Sequence, residues 1–165
     1  MATEKQVAFF QSLYDMERAR TVSLRETAKS YVGLSSFYSA FILFVTEKLH
    51  PAWMLPKVLF GVAIVVMLLA LLAALLVLQV ANFEGLTDPD FVIGQFGHDP
   101  PVDEDFFDKR IADYTVAYQR NQLVNGRKAR YLATAGYLFL FGLTVHAAYF
   151  LVWLMCEKGF VSGKT

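Results

Sequence analysis

The chain has 165 residues, of which 56% are hydrophobic, and its mean hydropathy is +0.41. Its 15 Lys and Arg residues balance 15 Asp and Glu residues, but these charges are gathered in blocks that leave long apolar stretches between them. This composition excludes a small soluble domain, which would have to cover itself with polar surface. It indicates an integral membrane protein whose apolar helices need lipid around them.

The first 29 residues are mostly polar and contain no Gly or Pro, so they predict a cytoplasmic helix (1–29) that starts near Glu4. No apolar run begins near Met1, and we therefore expect no cleavable signal peptide. The 17 uncharged residues from Ser30 to Thr46 are near the lower limit for a helix that crosses a bilayer. We assign the first transmembrane helix to residues 30–49, as a bent or straight continuation of the first helix.

A short outer loop (50–57) with two prolines precedes the second transmembrane helix (58–83). From Val58 to Leu78 this stretch contains no side chain suited to hydrogen bonding. We expect this helix to face lipid, and the alternative is that it forms a hydrophobic constriction in a pore.

Six Gly and Pro residues between 84 and 102 forbid a long helix and predict a cytoplasmic loop (84–102). Three acids, Asp103 to Asp105, then suit the first turn of a cytoplasmic helix (103–130), because acids complement the helix dipole. We expect this helix to continue without a break as the third transmembrane helix (131–156). An outer tail (157–165) follows.

The positions of Lys and Arg predict the orientation. Eleven of them lie before the first span or between the second and third, against four on the opposite side. Because cytoplasmic flanks carry the excess of these residues, we expect the N-terminus in the cytoplasm and the C-terminus outside, in the inner (plasma) membrane. The predicted fold class is an all-α integral membrane protein with three transmembrane helices, the first and third extended into the cytoplasm as a helical bundle.

The last helix carries a heptad-like stripe at alternating steps of four and three, which indicates a packing seam. Its cytoplasmic part is Phe107, Ile111, Tyr114, Tyr118, Asn121 and Asn125. The same spacing continues through Lys128, Leu132, Ala135, Phe139, Gly142, His146, Tyr149, Trp153 and Cys156.

Two interpretations of the polar part of this stripe stay open. A buried Asn at such a position fixes helix register and oligomeric state. Alternatively, tyrosine to stack on bases and cations for phosphate would form a cytoplasmic pocket for an anionic or nucleotide-like ligand. The candidate ligand-binding residues on this helix are Tyr118, Arg120, Asn121, Asn125, Arg127 and Lys128.

Four cations of the first helix could join this pocket if that helix packs beside the last one. They are Arg18, Arg20, Arg25 and Lys29. The interleaved acids Asp15, Glu17 and Glu26 equally predict ordinary surface ion pairs.

A mildly polar face of the first span supplies candidate pore-lining residues, Ser35, Ser39 and Thr46. In a membrane such residues form hydrogen bonds with neighbouring helices or line a water-filled path that an oligomer encloses. His146 is the one titratable residue inside a predicted span. It is a further candidate for the path, with a hydrogen-bonded structural role as the alternative.

No sequence pattern indicates catalysis. The chain contains no nucleophile elbow, phosphate loop, metalloprotease helix or paired cysteine motif. The acids between Asp99 and Asp108 lack the spacing of a metal motif, and a helix start explains them. We therefore expect no catalytic residue, no metal and no cofactor.

The segment AYQRNQLVNGRKARYL, residues 117–132, is a basic helical stretch that leads into an apolar span. With this arrangement the chain resembles small bacterial membrane effectors of nucleotide-signalling antiphage defence, among them the Hailong-type ion-channel effector. The resemblance is one of architecture and covers most of the chain. It implies a channel controlled by a cyclic nucleotide or an oligonucleotide.

Two functions remain as hypotheses. The first is a homo-oligomeric channel or membrane-disrupting effector, with lipid and further copies of itself as partners and a cytoplasmic anionic or nucleotide ligand as its control. The second is a non-conducting membrane subunit or scaffold that recruits a cytoplasmic partner protein. A membrane enzyme or redox subunit, the third alternative, would require a bound cofactor.

Overall fold

A computed structural model describes residues 3–48, 54–80, 85 and 103–162, which form three α-helices. Helix α1 comprises Glu4–Lys48, α2 comprises Met54–Gln79 and α3 comprises Asp103–Ser162. Within these ranges the chain contains no β-strand. The prediction of an all-helical fold is confirmed for this part of the chain.

Helix α1 begins with a Gln6 side chain that reaches back to the backbone of Thr3, as in one half of a capping box. The backbone N–H of Thr3 donates to Oε1 of Gln6 over 2.9 Å, and the N–H of Gln6 donates to the Thr3 carbonyl over 2.9 Å. These bonds pair two of the groups that every helix start leaves open. From there α1 runs for 45 residues, so the predicted cytoplasmic helix and the stretch predicted as the first span form one helix.

Helix α2 begins four residues before the predicted second span, at Met54. Residues 54–57, assigned to the outer loop from the sequence, are therefore helical. The loop was predicted to end at Lys57, the charged residue that bounds the apolar stretch. Pro56 lies in the first turn of α2, where a backbone N–H has no helical partner to lose. The helix ends at Gln79, and the last three residues of the predicted span, 81–83, lie outside the described residues.

Helix α3 has 60 residues and passes Gly126 without interruption. It extends to Ser162, so the first part of the predicted outer tail is helical. The predicted loop 84–102 lies outside the described residues, apart from Gly85.

The chain divides into two compact units. Residues 1–25 and 80–128 form the first, here called the polar unit, and residues 26–79 and 129–165 form the second, here called the apolar unit. From the sequence, the cytoplasmic part was predicted to comprise residues 1–29 and 84–130.

In the apolar unit all three helices meet around small and aromatic side chains. Met67 and Ala70 of α2 pack with Phe139 of α3, whose ring lies edge-on to those of Tyr31 and Tyr38 of α1, with ring centroids 6.0 and 6.4 Å away. A second buried cluster contains three alanines. Small residues of this kind let helix backbones approach closely. It consists of Ala73, Ala74 and Ala135.

Two helices are long and apolar enough to cross a membrane, α2 over Met54–Gln79 and α3 over Phe106–Met155. Their most apolar stretches have hydropathies of 3.1 and 1.9, yet only 33% and 22% of those stretches are buried inside the protein. The core helix of a soluble protein would be mostly buried. The exposed apolar surface of both helices therefore suits a lipid environment.

Gly142 provides a test of the packing between α2 and α3. A Cβ at this position would lie 2.7 Å from Sδ of Met67, so we expect Gly142→Leu to force the helices apart and lower the stability by about 1–3 kcal/mol. The thermal unfolding of purified protein in detergent measures the loss. Gly61→Leu is the matched control, because nothing lies within 4 Å of its added Cβ; equal losses would contradict this packing.

Candidate functional site

The stripe on α3 is confirmed as a packing face. Each of its positions from Phe107 to Trp153 is buried or half-buried, and the side chain of Cys156 lies outside the described residues. Tyr149, His146 and Asn125 are each no more than 1% exposed.

Helix α1 carries a matching stripe that the sequence analysis missed. Its positions alternate in steps of three and four and are all buried or half-buried. They are Tyr14, Glu17, Thr21, Leu24, Ala28, Tyr31, Ser35, Tyr38 and Ile42. Only the spacing could have revealed this stripe, since Glu17, Thr21 and Ser35 give it little hydrophobic contrast against the rest of the helix.

In the polar unit the two stripes meet through a hydrogen-bond network centred on Asn125. Its Nδ2 donates to the carbonyl oxygen of Glu17 over 2.9 Å and to Oε2 of Glu17 over 2.6 Å. Its Oδ1 accepts a hydrogen bond from Oγ1 of Thr21 over 2.8 Å. Both polar atoms of the Asn125 side chain, Nδ2 and Oδ1, thus form hydrogen bonds within the chain. A ligand would have to displace these contacts with α1 to reach them.

This network supports the first interpretation of Asn125, in which a buried amide fixes helix register. The partner helix is α1 of the same chain. Tyr14 and Tyr114 pack edge-on in the same unit, with ring centroids 5.8 Å apart. The two helices are parallel in this unit, because a contact residue further along α1 meets one further along α3: Tyr14 meets Tyr114, and Thr21 meets Asn125.

Lys128 is the unusual residue of the polar unit. Its side chain is fully buried, and its ammonium has no hydrogen-bond partner among the described residues. Burial lowers the pKa of Lys128, and the positive charge of Arg25 lowers that pKa further. The buried ammonium of Lys128 is therefore repelled by the charge of the half-buried Arg25, an arrangement that an anion would stabilise.

The other candidate ligand-binding residues divide into two groups. Arg25 and Tyr118 are half-buried and Asn121 is buried, whereas the remaining five are exposed. The exposed ones are Arg18, Arg20, Lys29, Arg120 and Arg127. Lys29 forms a surface pair of the kind that the sequence offered as an alternative, with its Nζ 2.7 Å from Oε1 of Glu26, whereas Arg20 lies 3.4 Å from Oε1 of the buried Glu17.

The candidate pore-lining residues belong to the apolar unit. Ser35 and His146 are buried and Ser39 is half-buried, while the side chain of Thr46 lies outside the described residues. Ser35 and His146 are thus covered by side chains of the same chain. This burial agrees with the alternative in which they pack against neighbouring helices and do not line a pore. A water path past them would have to run between the helices of one copy.

His146 lies between two aromatic rings, with centroid distances of 5.3 Å to Tyr38 and 5.9 Å to Phe60. Neither ring nitrogen forms a well-aligned hydrogen bond, although the backbone of Gly142 lies one turn earlier. The hydroxyl of Tyr149, one turn later, is also buried and unpaired among the described residues. Within the described ranges no group of three His, Cys, Asp or Glu side chains could hold a metal ion.

Comparison of the chain with protein-family models, with curated proteins and with solved structures found no match. Its function must therefore be argued from its own residues.

The Asn125 network is expected to stabilise the polar unit. Asn125→Ala would leave Oε2 of Glu17 without its buried donor, at a cost of about 1–3 kcal/mol, whereas the Thr21 hydroxyl would keep the Glu17 carbonyl 3.0 Å away. Thermal unfolding followed by circular dichroism measures the change. Gln122→Ala, at an exposed position of the same helix, should leave the midpoint unchanged, and a similar loss in both variants would rule out the network as the cause.

Lys128 is expected to destabilise the folded chain. Lys128 has a lowered pKa in the folded chain and an ordinary one in the unfolded chain. At pH values below both, Lys128 is protonated in both states and contributes no pH dependence to the free energy of unfolding. Between the lowered folded pKa and the ordinary lysine pKa of about 10.4, the unfolded chain binds more protons, and stability rises with pH. Lys128→Met should lack this rise and be more stable at neutral pH by about 1–3 kcal/mol.

Unfolding midpoints measured across pH test this expectation. Lys5→Met, at an exposed position, is the matched control and should keep the wild-type pH profile. A Lys128→Met protein that is less stable than wild type at neutral pH would show that the ammonium has a stabilising partner.

Proposed function

We propose that this chain is a homo-oligomeric inner-membrane channel, or membrane-disrupting effector, gated by an anionic or nucleotide ligand that binds the polar unit in the cytoplasm. The observation that carries the proposal is the buried ammonium of Lys128, which has no hydrogen-bond partner among the described residues and whose pKa is lowered by burial and by the charge of Arg25. A role in antiphage defence rests on the architectural resemblance alone.

The membrane part of the proposal uses all three helices. Helices α2 and α3 have the length and apolar surface to span a bilayer. Helix α1 adds five large apolar side chains that are at least half exposed, as expected of a third span in contact with lipid. They are Leu34, Phe37, Phe41, Leu43 and Phe44. The excess of Lys and Arg places the N-terminus in the cytoplasm and the C-terminus outside.

The ligand part of the proposal follows from the cost of a buried charge. An ammonium taken out of water without a partner destabilises the fold, and a group in this situation is a candidate for binding or catalysis. A phosphate or carboxylate oxygen beside Lys128 would provide the missing acceptor and would screen its repulsion from Arg25. The half-buried ring of Tyr118 lies on the same face of α3, about 15 Å along the helix from Lys128.

Ligand binding at this position would act on the pairing of α1 with α3. The same two helices pack against α2 in the apolar unit, so a ligand that shifts their pairing has a route to the proposed spans. Three spans are too few to enclose a substantial aqueous pore, and conduction therefore requires several copies.

The second candidate function is a non-conducting membrane subunit that recruits a cytoplasmic partner protein. It is supported by apolar side chains of the polar unit that face solvent, above all Leu123 at 70% exposure. Co-purification from the native membrane discriminates the two, because a scaffold predicts a stable complex with a different protein.

Ion flux into liposomes tests the channel. We expect purified wild-type protein to conduct, and cyclic nucleotides or short oligonucleotides on the cytoplasmic side to change the flux. Lys128→Met should conduct but lose the response, whereas Lys5→Met should keep it. Folded, oligomeric protein that conducts neither with nor without these ligands would refute the proposal.

A further inference from the structure

The two helices of the polar unit each bury one face and expose the opposite one. On α1 the exposed face contains Ser12, Met16, Ala19 and Ser23, here called the α1 outer stripe. On α3 it contains Val116, Arg120, Leu123 and Arg127, here called the α3 outer stripe. Both stripes repeat in steps of four, three and four, the spacing of a helix packing face.

These faces include apolar side chains that lipid does not explain. Leu123 is 70% exposed and Met16 is 65% exposed, yet the polar unit holds most of the charged residues and belongs in water. Exposed apolar surface in water costs about 25 cal/mol per Å². When such residues recur along one helix face, they indicate an interaction surface.

The register inside the unit fixes which residues share a depth along the helices. The contacts of Tyr14 with Tyr114, of Thr21 with Asn125 and of Glu17 with Asn125 join residues 100, 104 and 108 positions apart, a mean offset of 104. The same offset pairs Ser12 with Val116, Met16 with Arg120, Ala19 with Leu123 and Ser23 with Arg127. The two outer stripes therefore lie at the same depth, position for position.

We propose that the α1 outer stripe of one copy packs against the α3 outer stripe of the next copy, so that the polar units close a ring. This inference rests on the proposed homo-oligomer and names the surface that builds it. Copies that insert into a membrane in one orientation are related by rotation about the membrane normal. Such a rotation leaves depth unchanged, so residues of equal depth meet across the interface.

The two stripes are complementary in size. Val116 and Leu123 are large and project from α3, while Ser12 and Ala19 on α1 are small and leave room for them. Because each copy offers two different faces, the contact continues from copy to copy and can close a ring of more than two.

Disulfide cross-linking between two differently tagged chains tests the contact. Both chains carry Cys156→Ser, which removes the only native cysteine; one then carries Ala19→Cys and the other Leu123→Cys. Oxidation in the membrane, before detergent is added, should give a dimer that carries both tags. Ser12→Cys with Leu123→Cys is the control, since it is displaced by seven residues, about 10 Å, and should cross-link several-fold less.

Absence of the mixed dimer in protein of oligomeric mass would overturn this surface, as would equal cross-linking of the displaced control. Conductance of the same preparation would then leave the channel proposal standing. A second variant, Leu123→Asp, should lower the oligomeric mass in detergent while helix content is kept, and Gln122→Asp should change neither. An unchanged mass for Leu123→Asp would also overturn this surface.

Discussion

The pairing of α1 with α3 is the interaction on which the other features of the protein depend. Contacts such as that between Tyr14 and Tyr114 tolerate a slide along the helices, because hydrophobic contact is not directional. The hydrogen bonds of the Asn125 amide do not tolerate such a slide, since its Nδ2 and Oδ1 reach Glu17 and Thr21 at one register only. A shift of one heptad would leave a buried carboxylate and a buried amide unpaired. Polar contacts thus select the register that apolar contacts stabilise.

The same pairing buries Lys128 one turn beyond Asn125, where no protein group accepts its hydrogen bonds within the described residues. Stability and function therefore make opposite demands on this position. A methionine would pack as well without the cost of removing a charge from water. The ammonium becomes useful only when an anion occupies the space beside it and Arg25, and this is the physical basis of the proposed ligand response.

Helix α1 shows why average hydropathy is an incomplete measure of a membrane span. Its polar side chain Ser35 is buried against neighbouring helices, whereas the ring of Phe37 is 75% exposed. An average over the helix counts both residues equally, although only the exposed side would meet lipid. Helix α2 has no such division, because its apolar residues cover every face. Composition alone therefore identifies α2 more readily than α1.

The sequence by itself determined the three helices, because charge blocks, the Gly and Pro content of 84–102 and apolar length are local properties. It also determined the packing face of α3, whose spacing from Phe107 to Trp153 is regular. It placed the start of the second span at Val58, whereas α2 begins at Met54, because a charged residue such as Lys57 ends an apolar stretch without ending a helix. Only the tertiary structure decided that Asn125 bonds to Glu17 and Thr21, and that no described group accepts a hydrogen bond from the buried ammonium of Lys128. These outcomes depend on which helix packs alongside, and the sequence of one helix does not contain that information.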